Sequence, residues 1–127
     1  MILTLLAMSA GLSVQDTSID RTAIFSDAYR ACEARADANV DNSFCLGDEL
    51  DRQRIQMREA LRELQRYASP VDAEKITRSQ ALWQQSVDFD CGAEAEMGGS
   101  AAPSRASACE IGLAITRTYY LKIRGTW

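Results

Sequence analysis

The chain has 127 residues, one domain by the usual prior of about 100 to 200 residues, and its 46% hydrophobic content is enough for a core, which excludes a disordered chain. A net charge of -4 at pH 7 argues against a general nucleic-acid role, because a phosphate backbone demands a basic surface. Histidine is absent, and the four cysteines are Cys32, Cys45, Cys91 and Cys109.

The opening MILTLLAMSAGLSVQD carries an apolar run of Ile2, Leu3, Leu5, Leu6 and Ala7, too short to cross a bilayer but of the length of a secretory h-region. Ala7-Met8-Ser9 or Ser9-Ala10-Gly11 places small side chains at the two positions that a signal peptidase reads. Residues 1–15 are expected to be a signal peptide whose basic n-region lies before the given start, with a buried first helix as the alternative. Residues 16–127 are expected to form one soluble, exported domain with no membrane anchor, periplasmic or secreted, since no cysteine precedes Cys32 to take a lipid. Thiols oxidise in such a compartment, so an even cysteine count predicts two disulfides.

From Ile19 to about Ala38 there is no Gly or Pro, and Ile24, Ala28 and Cys32, with Phe25 and Tyr29 beside them, mark one apolar face of a first helix. The polar stretch DANVDNSF breaks the chain near Asn39 to Asn42. A second helix starts near Ser43, with Leu46, Leu50, Met57, Leu61 and Leu64 at alternating spacings and Gln53 as the gap, and continues to Ala68. Ser69-Pro70-Val71-Asp72 supplies a capping hydroxyl, a proline at the first helical position and an acid in the first turn, so a third helix begins there. Ile76, Gln80, Trp83, Val87 and Cys91 share its face, and Gly98-Gly99 must end it. Ser107-Ala108-Cys109-Glu110 has the pattern of a capping box opening a fourth helix. Leu113, Thr116, Tyr120 and Arg124 lie along one side of that helix, Arg117 and Leu121 adjoin them, and Gly125 ends it.

The expected fold is therefore all-α: a small antiparallel domain of about four helices in two hairpins. Each cysteine pair brackets a helix junction. Four cysteines allow three connectivities, and hairpin geometry favours Cys32–Cys45 with Cys91–Cys109. Zinc binding is the rival use, but a CxxC pair and histidine are both absent from the sequence.

Three features invite a functional reading. Arg54, Arg58, Arg62 and Arg66 recur every four residues, and a solvated face offset by Glu59 and Glu63 accounts for them better than an anion stripe. Between Cys91 and Cys109 the chain reads GAEAEMGGSAAPSRASA, which implies a loop tethered at both ends and free to be irregular at Gly98-Gly99. Asp88, Asp90, Glu94 and Glu96 against Arg105 make that region acidic, suited to a cationic partner. Candidate contact residues are Asp90, Glu94, Glu96, Gly98, Gly99, Ser100 and Arg105. A purely structural loop is the alternative.

The run Gln80, Trp83, Asp88 and Cys91, then Gly98-Gly99-Ser100, then Cys109, Leu113, Arg117 and Leu121, resembles the LprI-type lysozyme inhibitor family, small exported bacterial domains. Cys45 with Glu49-Leu50 is similar to that family's second-helix signature, and the resemblance spans about Cys32 to Leu121. The chain departs from the pattern at Ser86-Val87, where the family has an aromatic-Arg pair, and at Arg54 and Met57-Arg58. The resemblance implies an inhibitor that binds lysozyme-type muramidases directly, with a basic lysozyme as partner. The alternative is a periplasmic interaction module without effect on lysozyme.

The residues themselves favour binding over catalysis. With no histidine and every thiol in a disulfide, Ser-His and Cys-His schemes lack a base or a nucleophile. Asp88 and Asp90 sit two apart on a helix and point in different directions. The GGS stretch lacks the lysine and the strand context of a phosphate loop, so no cofactor is implied. Trp83 reads as a core anchor, and Arg117, near the core, is expected to pair with Asp88.

Overall fold

The computed structural model describes residues 20, 22–36 and 42–125, which excludes the expected signal peptide and most of the first inter-helix turn. Its elements are α1 (Asp27–Arg35), α2 (Ser43–Arg66), α3 (Pro70–Glu96) and α4 (Ala102–Arg124), and no strand occurs among the described residues. The all-helical expectation holds, as do the starts of α2 and α3. Ser69 caps α3 by accepting from the Asp72 backbone N–H at 3.2 Å, and Pro70 follows at the first helical position.

Two helix starts differ from expectation. Helix α1 begins at Asp27, because Ser26 takes the N-cap and its side chain accepts from the Tyr29 backbone N–H. The buried side chains there are Tyr29 on the helix and Phe25 just before it, while Ile24 and Ala28 are exposed. Helix α4 begins at Ala102 rather than at the Ser107 box. Pro103 suits a first turn, since its fixed φ is helical and its missing N–H would have had no partner. Glu110 is consequently free to cross to α2, where it accepts from Arg54 Nε at 2.8 Å.

The helices form two stapled hairpins that share one core. Cys32–Cys45 joins α1 to α2 and Cys91–Cys109 joins α3 to α4, with Cα atoms 5.8 and 5.6 Å apart, as the hairpin geometry predicts. Each ring restricts the unfolded chain and contributes about 3 kcal/mol. Helices α2 and α4 run parallel: Cys45 and Leu46 pack with Ile111, Arg54 meets Glu110, and Met57 and Ala60 pack with Ala114 and Leu121. Helix α3 returns between them in sequence and lies antiparallel to α4, which its Cys91–Cys109 and Gln80–Arg117 links require.

The core has two clusters. One joins Phe25, Tyr29, Cys45, Leu46 and Ile111 near the α1 end, where Phe25 and Tyr29 meet edge-to-face at 5.0 Å. The other joins Met57, Ala60, Ala114 and Leu121, with Leu61, Leu64 and Trp83 against it. On α4 the buried positions are Ala102, Ile111, Ala114, Arg117, Thr118 and Leu121, so the Thr116, Tyr120 and Arg124 side faces outward. No helix among the described residues is long and apolar enough to cross a membrane.

Candidate partner-binding site

The α3–α4 tip is more regular than its composition implies. Only 97–101 separate the two helices, so most of the ring closed by Cys91–Cys109 is helical. Gly98 and Gly99 carry φ of 72° and 84°, a left-handed pair that residues with a Cβ adopt only at a cost. Arg105 reaches back from α4, donating from Nη2 to the Gly98 carbonyl at 2.7 Å and the Glu94 carbonyl at 3.4 Å. Its Nε lies 3.8 Å from the Glu94 carboxylate. Arg105 thus covers the free carbonyls at the end of α3 and holds the tip shut.

Of the acidic candidates, Asp90 and Glu96 are exposed, as are Gly98, Gly99 and Ser100, while Glu94 is half-buried and engaged by Arg105. Asp88 accepts from Gln84 Nε2 at 2.9 Å on its own helix. The expected Arg117–Asp88 pair is not formed. Arg117 instead donates from Nε to Gln80 Oε1 at 3.0 Å and from Nη2 to Ser79 Oγ at 3.1 Å. Its Cζ also stands 6.0 Å from the Trp83 ring and 5.4 Å from the Tyr120 ring. The cause is register: Ser79, Gln80 and Trp83 lie opposite Arg117, whereas Asp88 lies two turns further along α3, on the flank with Gln84. Burial pushes the Arg117 pKa down; Tyr120 opposes that shift and Arg124 adds to it.

At the other hairpin lies a buried carboxylate whose network the sequence does not disclose. Glu49 has no solvent exposure. It accepts from the Ser26 backbone N–H at 2.9 Å, the Ser26 hydroxyl at 2.6 Å and Gln53 Nε2 at 2.8 Å, and it pairs with Arg52. Burial alone would raise its pKa, but the hydrogen bonds from Ser26, Gln53 and Arg52 outweigh that and hold it below the usual carboxylate range. Gln53, the gap in the apolar pattern of α2, is thereby explained, because it completes the cage around Glu49. The readable signal was a capping serine at Ser26 together with Glu49 and Gln53 one turn apart.

The arginine stripe divides. Arg54 is tied to Glu110, Arg66 lies 3.5 Å from Glu63, and Arg58 and Arg62 face solvent. Beside it, α2 and α4 leave an open groove of about 650 Å³, with Ala60, Leu64 and Leu121 at its floor and Glu59, Glu63 and Lys122 at its rim. Among the described residues no group of three or more His, Cys, Asp or Glu side chains is placed to hold a metal.

These features define a small, disulfide-stapled protein that is all-helical among the described residues. The family model described as lysozyme inhibitor LprI matches residues 30–121, most of the chain and both cysteine pairs. The chain belongs to the LprI lysozyme inhibitor family, a family of inhibitors and not of enzymes. No curated protein and no solved structure matches it.

Proposed function

We propose that the mature protein is an exported inhibitor of lysozyme-type muramidases that acts by direct protein–protein contact. The observation that carries this reading is the family match across 30–121, which reaches from α1 into α4 and includes both staples. Export with residues 1–15 as the leader is part of the reading, as is a periplasmic or secreted location, where the two disulfides would persist. The α3–α4 tip is the proposed first contact. Asp90 and Glu96 are exposed there beside a turn restrained by the Cys91–Cys109 ring and by Arg105 on the Gly98 carbonyl, so little conformational entropy is lost on docking. A basic lysozyme is the partner that this acidity would attract, with salt weakening the encounter.

The test is a cell-wall turbidity assay with purified mature protein and lysozymes of several types, at low and high salt. Inhibition is expected for at least one type, weakened by salt and by an Asp90→Asn/Glu96→Gln double change. If the intact protein inhibits no lysozyme type, the inhibitor reading is wrong and the chain is an envelope interaction module of another kind.

A further inference from the structure

Arg117 stands out among the cations of the fold by the company it keeps. Arg52, Arg54 and Arg105, its counterparts at other helix contacts, each meet a carboxylate: Glu49, Glu110 and Glu94. Arg117 is 9% exposed, and all its partners are neutral: Gln80, Ser79 and the rings of Trp83 and Tyr120. A second cation, Arg124, shares the same Tyr120 ring, its Cζ 5.8 Å from the centroid. A guanidinium stays charged when buried, so Arg117 holds positive charge with no carboxylate among its partners, at a cost in stability, while Arg124 beside it lies within electrostatic reach of the Asp72 carboxylate.

The same partners that fail to neutralise Arg117 orient it. Gln80 and Ser79 fix two edges of the guanidinium, while its other terminal nitrogen, Nη1, makes no hydrogen bond among the described residues. Tyr120 is 43% exposed, Arg124 is exposed and Trp83 is half-buried, so aromatic surface rims the group and a second cation lies beside it. An ion pair completed there would be sheltered from water and worth more than one on an open surface. Ser79, Trp83, Ser86 and Asp90 follow one another on α3 at spacings of four, three and four, so the seam and the acidic tip share one flank of that helix.

We propose that the α3–α4 seam around Arg117, Tyr120 and Arg124 is a carboxylate-receiving site, and that its occupant is a cleft carboxylate of the partner muramidase. This rests on the inhibitor reading given above. Glycoside hydrolases place two carboxyl groups about the scissile bond, so an inhibitor that occupies the cleft meets acid there, whatever the charge of the enzyme's outer surface. The α3–α4 flank then matches such an enzyme at both levels, with acid at the tip for a basic surface and cations along the seam for the acidic cleft.

The test measures affinity for a lysozyme that the intact protein inhibits and for the same lysozyme with both cleft carboxylates changed to amides. The amide enzyme is expected to bind on the order of ten- to a hundredfold more weakly, the range of charge-assisted hydrogen bonds to a buried group. Arg117→Gln alters a group packed between helices, so the exposed Arg124→Gln and Tyr120→Ser changes, checked for unaltered melting, carry the protein side. Each is expected to weaken binding to the native enzyme and to have little further effect against the amide enzyme. Equal binding of the native and amide enzymes, or unchanged binding by the folded Arg124→Gln and Tyr120→Ser variants, overturns the seam proposal and leaves the inhibitor reading in place. Failure of the intact protein to bind any lysozyme overturns both.

Discussion

The two hairpins carry the same device at their ends, a disulfide across a helix junction, but they treat a buried charge in opposite ways. In the α1–α2 hairpin the charge is Glu49, surrounded by donors from Ser26, Gln53 and Arg52 until its carboxylate oxygens are well supplied. In the α3–α4 hairpin it is Arg117, held by two neutral acceptors and two rings, with no carboxylate among its partners. The first arrangement tends to the fold, because Glu49 completes the N-terminal cap of α1 from another helix. The second leaves unused electrostatic capacity at a surface seam. Burial alone does not separate a structural ion from a binding one; the completeness of its partners does.

Substitution should break this contrast most severely at Glu49. Glu49→Ala strands the Ser26 and Gln53 donors and the Arg52 charge, and is expected to cost about 3 to 5 kcal/mol in chemical denaturation, with α1 the first element to lose amide protection. Arg117→Met is expected to cost less, about 1 to 2 kcal/mol, because it removes an uncompensated charge and leaves Gln80 and Ser79 half-exposed to water. A loss at Arg117 equal to that at Glu49 would erase the distinction between them.

A titration sharpens the comparison further. The folded-state pKa of Glu49 is depressed, so its contribution to stability is fully present above the unfolded carboxylate value of about 4.3 and is lost as pH falls through the lower folded value. The slope is at most about 1.4 kcal/mol per pH unit for one proton, and Glu49→Gln should remove that part of the acid-side slope. Arg117 adds no slope in this range. The smallest expected effect is at the α3–α4 turn, where Gly98→Ala meets no atom within 4 Å but must hold a φ of 72°. Its cost is about 1 kcal/mol in thermal unfolding.

Much of the frame was legible because it rests on local chemistry. Ser69-Pro70 declared the start of α3, Gly98-Gly99 its end, and the position of each cysteine beside a junction favoured the pairing now seen. The start of α4 was misplaced because a Ser-x-x-Glu pattern satisfies the capping-box rule whether or not the glutamate is needed elsewhere, and Glu110 is engaged by Arg54. Arg117 was correctly placed near the core but given the wrong partner. Periodicity puts a residue on a face, but whether Asp88 or Ser79 lies opposite depends on the register between two helices, which the Cys91–Cys109 link and the short turn set together. Glu49 stood in the quoted motif, yet its cage draws on Ser26, a distant residue that no helical spacing relates to it.

Both disulfides join cysteines that are consecutive in the chain, 13 and 18 residues apart. Four thiols released together from an unfolded chain can pair in three ways, two of them wrong. In a chain threaded through a membrane from its N-terminus, Cys32 and Cys45 emerge well before Cys91, and each thiol meets its native partner before any competitor arrives. The parallel contact of α2 with α4 has to wait for the whole of α3, whereas the first ring closes before α3 emerges and the second needs the chain only as far as Cys109, short of Ile111, Ala114 and Leu121. In a chain exported in this way the order of emergence would select the native pairing, and oxidation could finish without reshuffling before the long-range core closes.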